Sequence, residues 1–221
     1  MAKITFIGAG QMASAITFPA FENGNEVRLV GSPLDDEIID VLCECGFHPN
    51  LQRQLHDGIK YYKIAEVQDA LAGADLVICG VSSFGVDWWA DEILPILDEN
   101  IPMMSVTKGM INMPGGKMIP YPKYWESKLP EDSKLELYAI GGPCEAKCLA
   151  SHVHSSVGYC GPDMEKLKWI KSLLATDYYH ISLTTDVVGL EVSVAIKNAY
   201  ALATSLSHGL AEVDAREDIN H

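Results

Sequence analysis

The sequence predicts an α/β protein: a mostly parallel sheet with helices on both faces, followed by the first long helix of an incomplete all-α domain. Three observations lead there. Short apolar runs alternate with helix-length segments as far as residue 183, which is the pattern of a parallel sheet. The first run, Ile4-Thr5-Phe6-Ile7, enters a glycine-rich turn, Gly8-Ala9-Gly10. At Asp186 the alternation stops, and a single long apolar stretch runs to Gly209.

Residues 3–7 read as the first strand and 11–23 as a helix. Residues 26–30 read as a second strand and 34–45 as a second helix. A short strand at 61–64 and a short helix at 67–71 follow. Residues 74–81, Ala-Asp-Leu-Val-Ile-Cys-Gly-Val, form the kind of apolar run found in the middle of a parallel sheet. A helix at 85–97 leads to a buried strand at 103–107. Residues 114–122, with Gly115-Gly116, read as a long loop over one edge. Further strands are expected at 135–140, 155–159 and 178–183, with a helix at 164–175. This gives one domain over 1–185 and the start of a helical one over 186–221.

Of 221 residues, 48% are hydrophobic and 21% charged, which suffices for a core and excludes a disordered chain. The net charge of −14 argues against nucleic acid or an anionic membrane as a partner. The N-terminus has no charged head with a long apolar run, so no signal peptide is expected. Asp186, Glu191, Lys197, Asn198 and His208 interrupt the long apolar stretch, which reads as a buried soluble helix, not a membrane span. The six cysteines lack a disulfide-framework spacing and read as reduced thiols. Cys43 and Cys45 with His48, or Cys148 with His152 and His154, do not have zinc spacing.

Gly8-x-Gly10-x-x-Ala13, set between strand and helix, has the context of a dinucleotide cradle. Gly8 permits the tight turn, Gly10 leaves room for a pyrophosphate, and Ala13 lets the helix pack closely on the sheet. The free N–H groups of the helix start would face the diphosphate. At the tip of strand two, Val30 is followed by Gly31, Ser32 and Pro33, with no carboxylate until Asp35 and Asp36. That leaves room for a 2′-phosphate without supplying an arginine, and leans toward NADP over NAD.

Two lysines are candidates for chemistry. Lys108 closes Ser105-Val106-Thr107-Lys108-Gly109 at the end of a buried strand, where side chains of an open sheet face the ligand crevice. Lys197, followed by Asn198, sits in the middle of the long apolar helix. Burial there would desolvate its ammonium and lower its pKa, so that it could trade protons near neutrality. Glu191 lies six residues away on another helix face and is read as structural. Gly141-Gly142-Pro143-Cys144-Glu145-Ala146 supplies a compact turn with free backbone donors.

The four blocks in this order, GxGxxA, TKG, GPxxA and DxxGxExxxAxKN, resemble the NAD(P)-dependent sn-glycerol-3-phosphate dehydrogenases. The resemblance implies a Rossmann domain joined to an all-helical substrate domain in a cytoplasmic enzyme. That enzyme interconverts dihydroxyacetone phosphate and glycerol 3-phosphate in phospholipid and glycerol metabolism. It makes Lys197 the proton donor and acceptor and lets Lys108 touch both cofactor and substrate. Gly142 and Cys144 would line the substrate, and Asn198 would help fix the lysine. Gln11, Met12, Ser32 and Ala146 would contact the cofactor, with Gly8, Gly10 and Ala13.

Some positions depart from the family. Cys144 stands where a hydroxyl or amide is usual, Glu145 replaces an apolar residue, Cys148 an acidic one, and Ser32 a common arginine. The family's phosphate-gripping arginine, and an Asn and an Asp of its site, fall downstream of His221. The long helix is therefore expected to show Leu190, Val194, Ala201, Leu202 and Leu206, and to drive self-association, as a dimer, through 186–211. Two other readings stay open: a sibling reductase acting on ketopantoate or a β-hydroxyacid, and a nucleotide-binding module without catalysis.

Overall fold

The computed structural model describes residues 1–218, with side chains through 211. Strand β1 (Lys3–Ile7), helix α1 (Gln11–Glu22), β2 (Glu26–Val30) and α2 (Asp36–Cys45) open the chain. A small hairpin, β3 (Phe47–His48) and β4 (Arg53–Gln54), precedes β5 (Lys60–Tyr62), α3 (Val67–Leu71) and β6 (Leu76–Cys79). Next come α4 (Val86–Trp88), β7 (Met103–Ser105), β8 (Met110–Met113), β9 (Lys117–Pro120) and α5 (Tyr121–Glu126). The last elements are β10 (Leu137–Gly141), α6 (Ala146–Leu149), β11 (Ser155–Cys160), α7 (Met164–Leu174), β12 (Tyr179–Thr184) and α8 (Val187–Asp218).

Eight strands form one sheet in the order β12-β11-β10-β7-β6-β1-β2-β5. Every pairing is parallel except β10 with β11, where Ile140 faces Tyr159. The chain builds outward from β1 through β2 to β5, then returns to the other side of β1 with β6. That reversal opens a crevice at the carboxyl ends of β1 and β6, where ligands of such sheets bind. Both faces are covered. Phe6, Ile16, Leu29, Tyr138, Tyr159 and Leu167 belong to one core, and Ile7, Val77, Trp89, Trp125 and Leu137 to the other.

Four expectations need correction. The loop expected at 114–122 is the turn and second strand of a hairpin, in which Asn112 faces Met118, and it runs directly into α5. Gly115 and Gly116 at its tip both have positive φ, which is hairpin-turn chemistry. The helix expected at 85–97 is regular only over Val86–Trp88, and then widens into a π-type turn over Trp89–Ile93. The turn places the Trp89 ring fully inside the core, and a tighter 3-10 turn over Leu94–Ile96 follows, with Pro95, which has no N–H to donate, in its first positions.

The other two corrections concern α8. It was expected to be buried, yet beyond its first turns it is exposed. Its 25 residues Val187–Ala211 are long and apolar enough to cross a membrane by length and composition alone. Leu190 and Val194 are not exposed as expected, because they rest on β10 and β11. A Cβ at Gly141 would lie 2.5 Å from Val194 Cγ2, and one at Gly158 2.9 Å from Leu190 Cδ1. Only glycine lets the helix sit this close to the strands. Leu202 and Leu206 are open to solvent, as is Ala201. The end of the expected second segment, 219–221, lies outside the described residues.

Candidate functional site

The glycine turn is held from three sides. Gly8 has φ +105°, and a Cβ there would meet the Gly80 carbonyl carbon at 2.7 Å. A side chain would therefore both strain the turn and push β1 off β6. Gly80 is equally constrained, since its own Cβ would lie 2.4 Å from Ala13 Cβ. Ala13 is thus the close-packing residue expected, and Gly80 is the partner that sequence reasoning missed. Gly10 is roomier, with Gly80 O the nearest atom at 3.5 Å.

Ala9, between the two glycines, is clamped at both backbone groups. Its N–H donates to Asp35 Oδ2 at 3.0 Å. Its carbonyl lies 2.8 Å from His48 Nε2. Leu51 N–H donates to His48 Nδ1, so Nε2 carries the proton and donates to Ala9. Burial holds the pKa of His48 below its ordinary value, which keeps the ring in this neutral form. His48 had drawn attention only for a metal, but Cys43 and Cys45 are exposed, and the described residues contain no metal-holding group of three such side chains.

Helix α1 begins at this turn without a side-chain cap. The first intrahelical bond is Ser14 N–H to Gly10 O, 3.0 Å. The N–H groups of Gln11, Met12 and Ala13 therefore remain for a ligand. An uncapped twelve-residue helix behind a turn that excludes side chains fits a dinucleotide diphosphate.

The tip of β2 differs from expectation. A tight turn, Asp35 N–H to Ser32 O at 2.9 Å, folds Asp35 back over the strand end. Its Oδ2 accepts from Ser32 N at 2.8 Å and Ser32 Oγ at 2.6 Å. The tip does carry a carboxylate, so the lean toward NADP loses its premise.

On the other side of the crevice, Thr107 Oγ1 donates to Val81 O at 2.7 Å, tying the end of β7 to that of β6. Lys108 follows, half-buried, and its Nζ donates to Gly142 O at 3.1 Å. Its pKa is lowered, first by burial and then by the positive charge of Lys197. The Cys144 thiol is half-buried, and burial raises its pKa against the opposing pull of Ser155 and Lys108. Gly142, Cys144 and Ala146 line this turn half-exposed, with Ala146 opening α6.

Lys197 does not occupy the oily surroundings its sequence suggests. It is exposed, as is Asn198, because no described element packs over that part of α8. The desolvated lysine is Lys108. The side chain buried on α8 is instead Glu191, 1% exposed, with no hydrogen bond to either carboxyl oxygen. Burial pushes its pKa up to about 7, against the pull of Lys108. No local feature of the sequence marks Glu191 as buried. The strand glycines beneath this helix, Gly141 and Gly158, receive its neighbours Val194 and Leu190.

Residues 3–165 match the sequence profile described as the NAD-dependent glycerol-3-phosphate dehydrogenase N-terminus. The chain belongs to this dehydrogenase family. It is 30% identical over 206 residues to the NADP(+)-dependent glycerol-3-phosphate dehydrogenase of Archaeoglobus fulgidus, covering 93% of this chain and 60% of the relative. It is 27% identical to the glycerol-3-phosphate dehydrogenase [NAD(P)+] of Streptococcus gordonii, with 96% and 61% covered. The chain thus spans about 60% of the length of these dehydrogenases. In fold it is similar to the Plasmodium falciparum glycerol-3-phosphate dehydrogenase, with a TM-score of 0.81 at 23% identity over 95% of this chain and 60% of that one. A 1-pyrroline-5-carboxylate reductase of Streptococcus pyogenes shares the fold more loosely, with a TM-score of 0.59 at 21% identity over 97% of this chain and 71% of that one.

Proposed function

We propose that the chain carries the nucleotide half, and one wall of the substrate half, of an NAD(P)-dependent dehydrogenase interconverting dihydroxyacetone phosphate and sn-glycerol 3-phosphate. The observation that carries this reading is Lys108, half-buried at the carboxyl edge of the sheet, bonded to Gly142 O and within charge reach of Lys197. A bound nicotinamide would supply or take the hydride at the substrate's central carbon. Gln11, Met12 and Ala13 hold the diphosphate through their N–H groups, and Gly8, Gly10, Ser32 and Ala146 shape the rest of the cradle.

As the carbon gains hydride, its oxygen gains a proton. Lys108 holds its own proton loosely, because burial and a neighbouring positive charge both oppose it. A loosely held proton is readily given to an alkoxide, and the ammonium stabilises the negative charge while it develops. Gly142 O keeps the amine aimed. Lys197 brings the second positive charge to the same oxygen, with Asn198 beside it, and the Gly142–Cys144 turn lines the substrate. The proton comes from this lysine pair, with Lys108 as its desolvated member.

Nicotinamide absorbance with dihydroxyacetone phosphate, ketopantoate and a β-keto acid tests this. Dihydroxyacetone phosphate is expected to be reduced, and Lys108→Met to lose about a hundredfold in turnover. Binding of dinucleotide with no carbonyl reduced, by this chain or any longer native form, leaves only a nucleotide-binding module. The free cysteines support a reducing, cytoplasmic setting, and the charge of −14 opposes nucleic-acid and anionic-membrane partners. The exposed Leu202, Leu206 and Leu210 support self-association. A monomer in sedimentation at micromolar concentration would remove that part.

A further inference from the structure

The proposed function leaves the choice between NAD and NADP open, and the β2 tip bears on it. The inference rests on the dinucleotide reading of the cradle. Asp35 Oδ2 is consumed by three donors: Ala9 N, Ser32 N and Ser32 Oγ, at 3.0, 2.8 and 2.6 Å. The same bonds fix where the carboxylate points, between the glycine turn and the end of β2. In a doubly wound sheet that junction receives the adenosine ribose, and a carboxylate there accepts from its 2′-hydroxyl. Asp35 Oδ1 has no hydrogen bond from the described residues and is the acceptor left over.

A 2′-phosphate would bring two negative charges to the same place. The cations that NADP sites use to meet that charge are engaged elsewhere. Arg28 donates to the carbonyls of Ala70 and Ala72 and pairs with Glu26. Arg53 donates to Ser151 Oγ and Gln52 O. Lys63 pairs with Asp40 at 2.7 Å, and Lys60 with Glu26 at 3.0 Å. Two further carboxylates, Asp36 and Glu37, follow in the first turn of α2. The Ala9 bond also prevents the usual escape, in which the acid swings away, because moving Asp35 would release the glycine turn.

We propose that Asp35 makes this chain selective for NAD(H) over NADP(H), by accepting from the ribose 2′-hydroxyl and repelling a 2′-phosphate. The same carboxylate thereby couples selectivity to the shape of the phosphate cradle. This departs from the name of the Archaeoglobus relative, which is NADP(+)-dependent at 30% identity.

The test is calorimetric binding to the 221-residue chain. NADH is compared with NADPH, and AMP with adenosine 2′,5′-bisphosphate, which isolates the 2′-phosphate from any contact to the nicotinamide. The unphosphorylated member of each pair is expected to bind at least about tenfold tighter, with the gap narrowing at high salt. Asp35→Asn keeps an amide oxygen to accept from Ala9 and Ser32 but removes the charge. It is expected to shift the NADPH-to-NADH and bisphosphate-to-AMP affinity ratios at least about fivefold toward the phosphorylated ligands, with melting temperature little changed. Equal or tighter binding of the phosphorylated ligands by the unaltered chain overturns the inference. So does an unchanged ratio in a folded Asp35→Asn protein. Failure of all four ligands to bind instead overturns the dinucleotide reading itself.

Discussion

The glycine turn and helix α8 are built in opposite ways. The turn is tied down at several points: Gly8 N–H donates to Val30 O, Ala9 is held at both backbone groups by Asp35 and His48, and Gly8, Gly80 and Ala13 interlock without room for another methyl group. On α8 only the first turns are seated, on Gly141 and Gly158, and the lysine further along is exposed. The difference shows that a site's rigidity comes from what lies behind its residues. The glycine turn is held by buried contacts that no ligand needs to supply. Helix α8 presents its groups with only one side covered.

The sharpest way to break the contrast is Gly8→Val. A β-branched residue would have to adopt φ +105° with its Cβ inside the Gly80 backbone. The expected loss is about 4 kcal/mol in a denaturant melt, together with dinucleotide binding. No comparable single change is expected on the exposed part of α8.

Glu191→Gln sharpens the comparison through pH. The Glu191 pKa is raised from its ordinary 4.5 to about 7, so the folded state favours the neutral acid. Its contribution is complete below about pH 4.5 and is lost as pH rises through 7, up to roughly 3 kcal/mol by pH 8. Glutamine, neutral throughout, should flatten that part of the stability curve and leave the variant more stable than the parent at pH 8. Parallel pH profiles of the two proteins would show that the carboxyl is not desolvated.

The smallest effects separate the two halves of α8 itself. Leu190→Ala removes the side chain resting on Gly158 and should cost about 2 kcal/mol. Leu206→Ala, at a position 59% exposed, should stay within about 0.5 kcal/mol. Equal losses at both positions would mean that the distal helix is covered in solution.

Much of the scaffold could be read from residue order. Strand β1, the glycine turn and α1 follow from a local pattern, because tight turns and buried strands restrict composition within a few residues. What escaped depends on contacts distant in the chain. The lone Asp35 looks like a loop residue until Ser32 turns it back toward Ala9. His48 has no local signature, since its role lies in a carbonyl 39 residues earlier. The long apolar helix misled for a related reason: hydrophobicity suggests that Lys197 is covered, but covering requires another element. The burial of Glu191 escapes for the same reason, since its own helix gives no sign of the sheet beneath.

The seat of α8 on Gly141 and Gly158 also has a geometric consequence. Two absent side chains determine how low the helix lies and at what tilt it leaves the sheet. A single added methyl at either position would act as a wedge under the helix and tilt the segment that carries Lys197, three residues past Val194 and seven past Leu190. The course of the helix segment that carries the second lysine is therefore set within about two turns of it, by bare backbone.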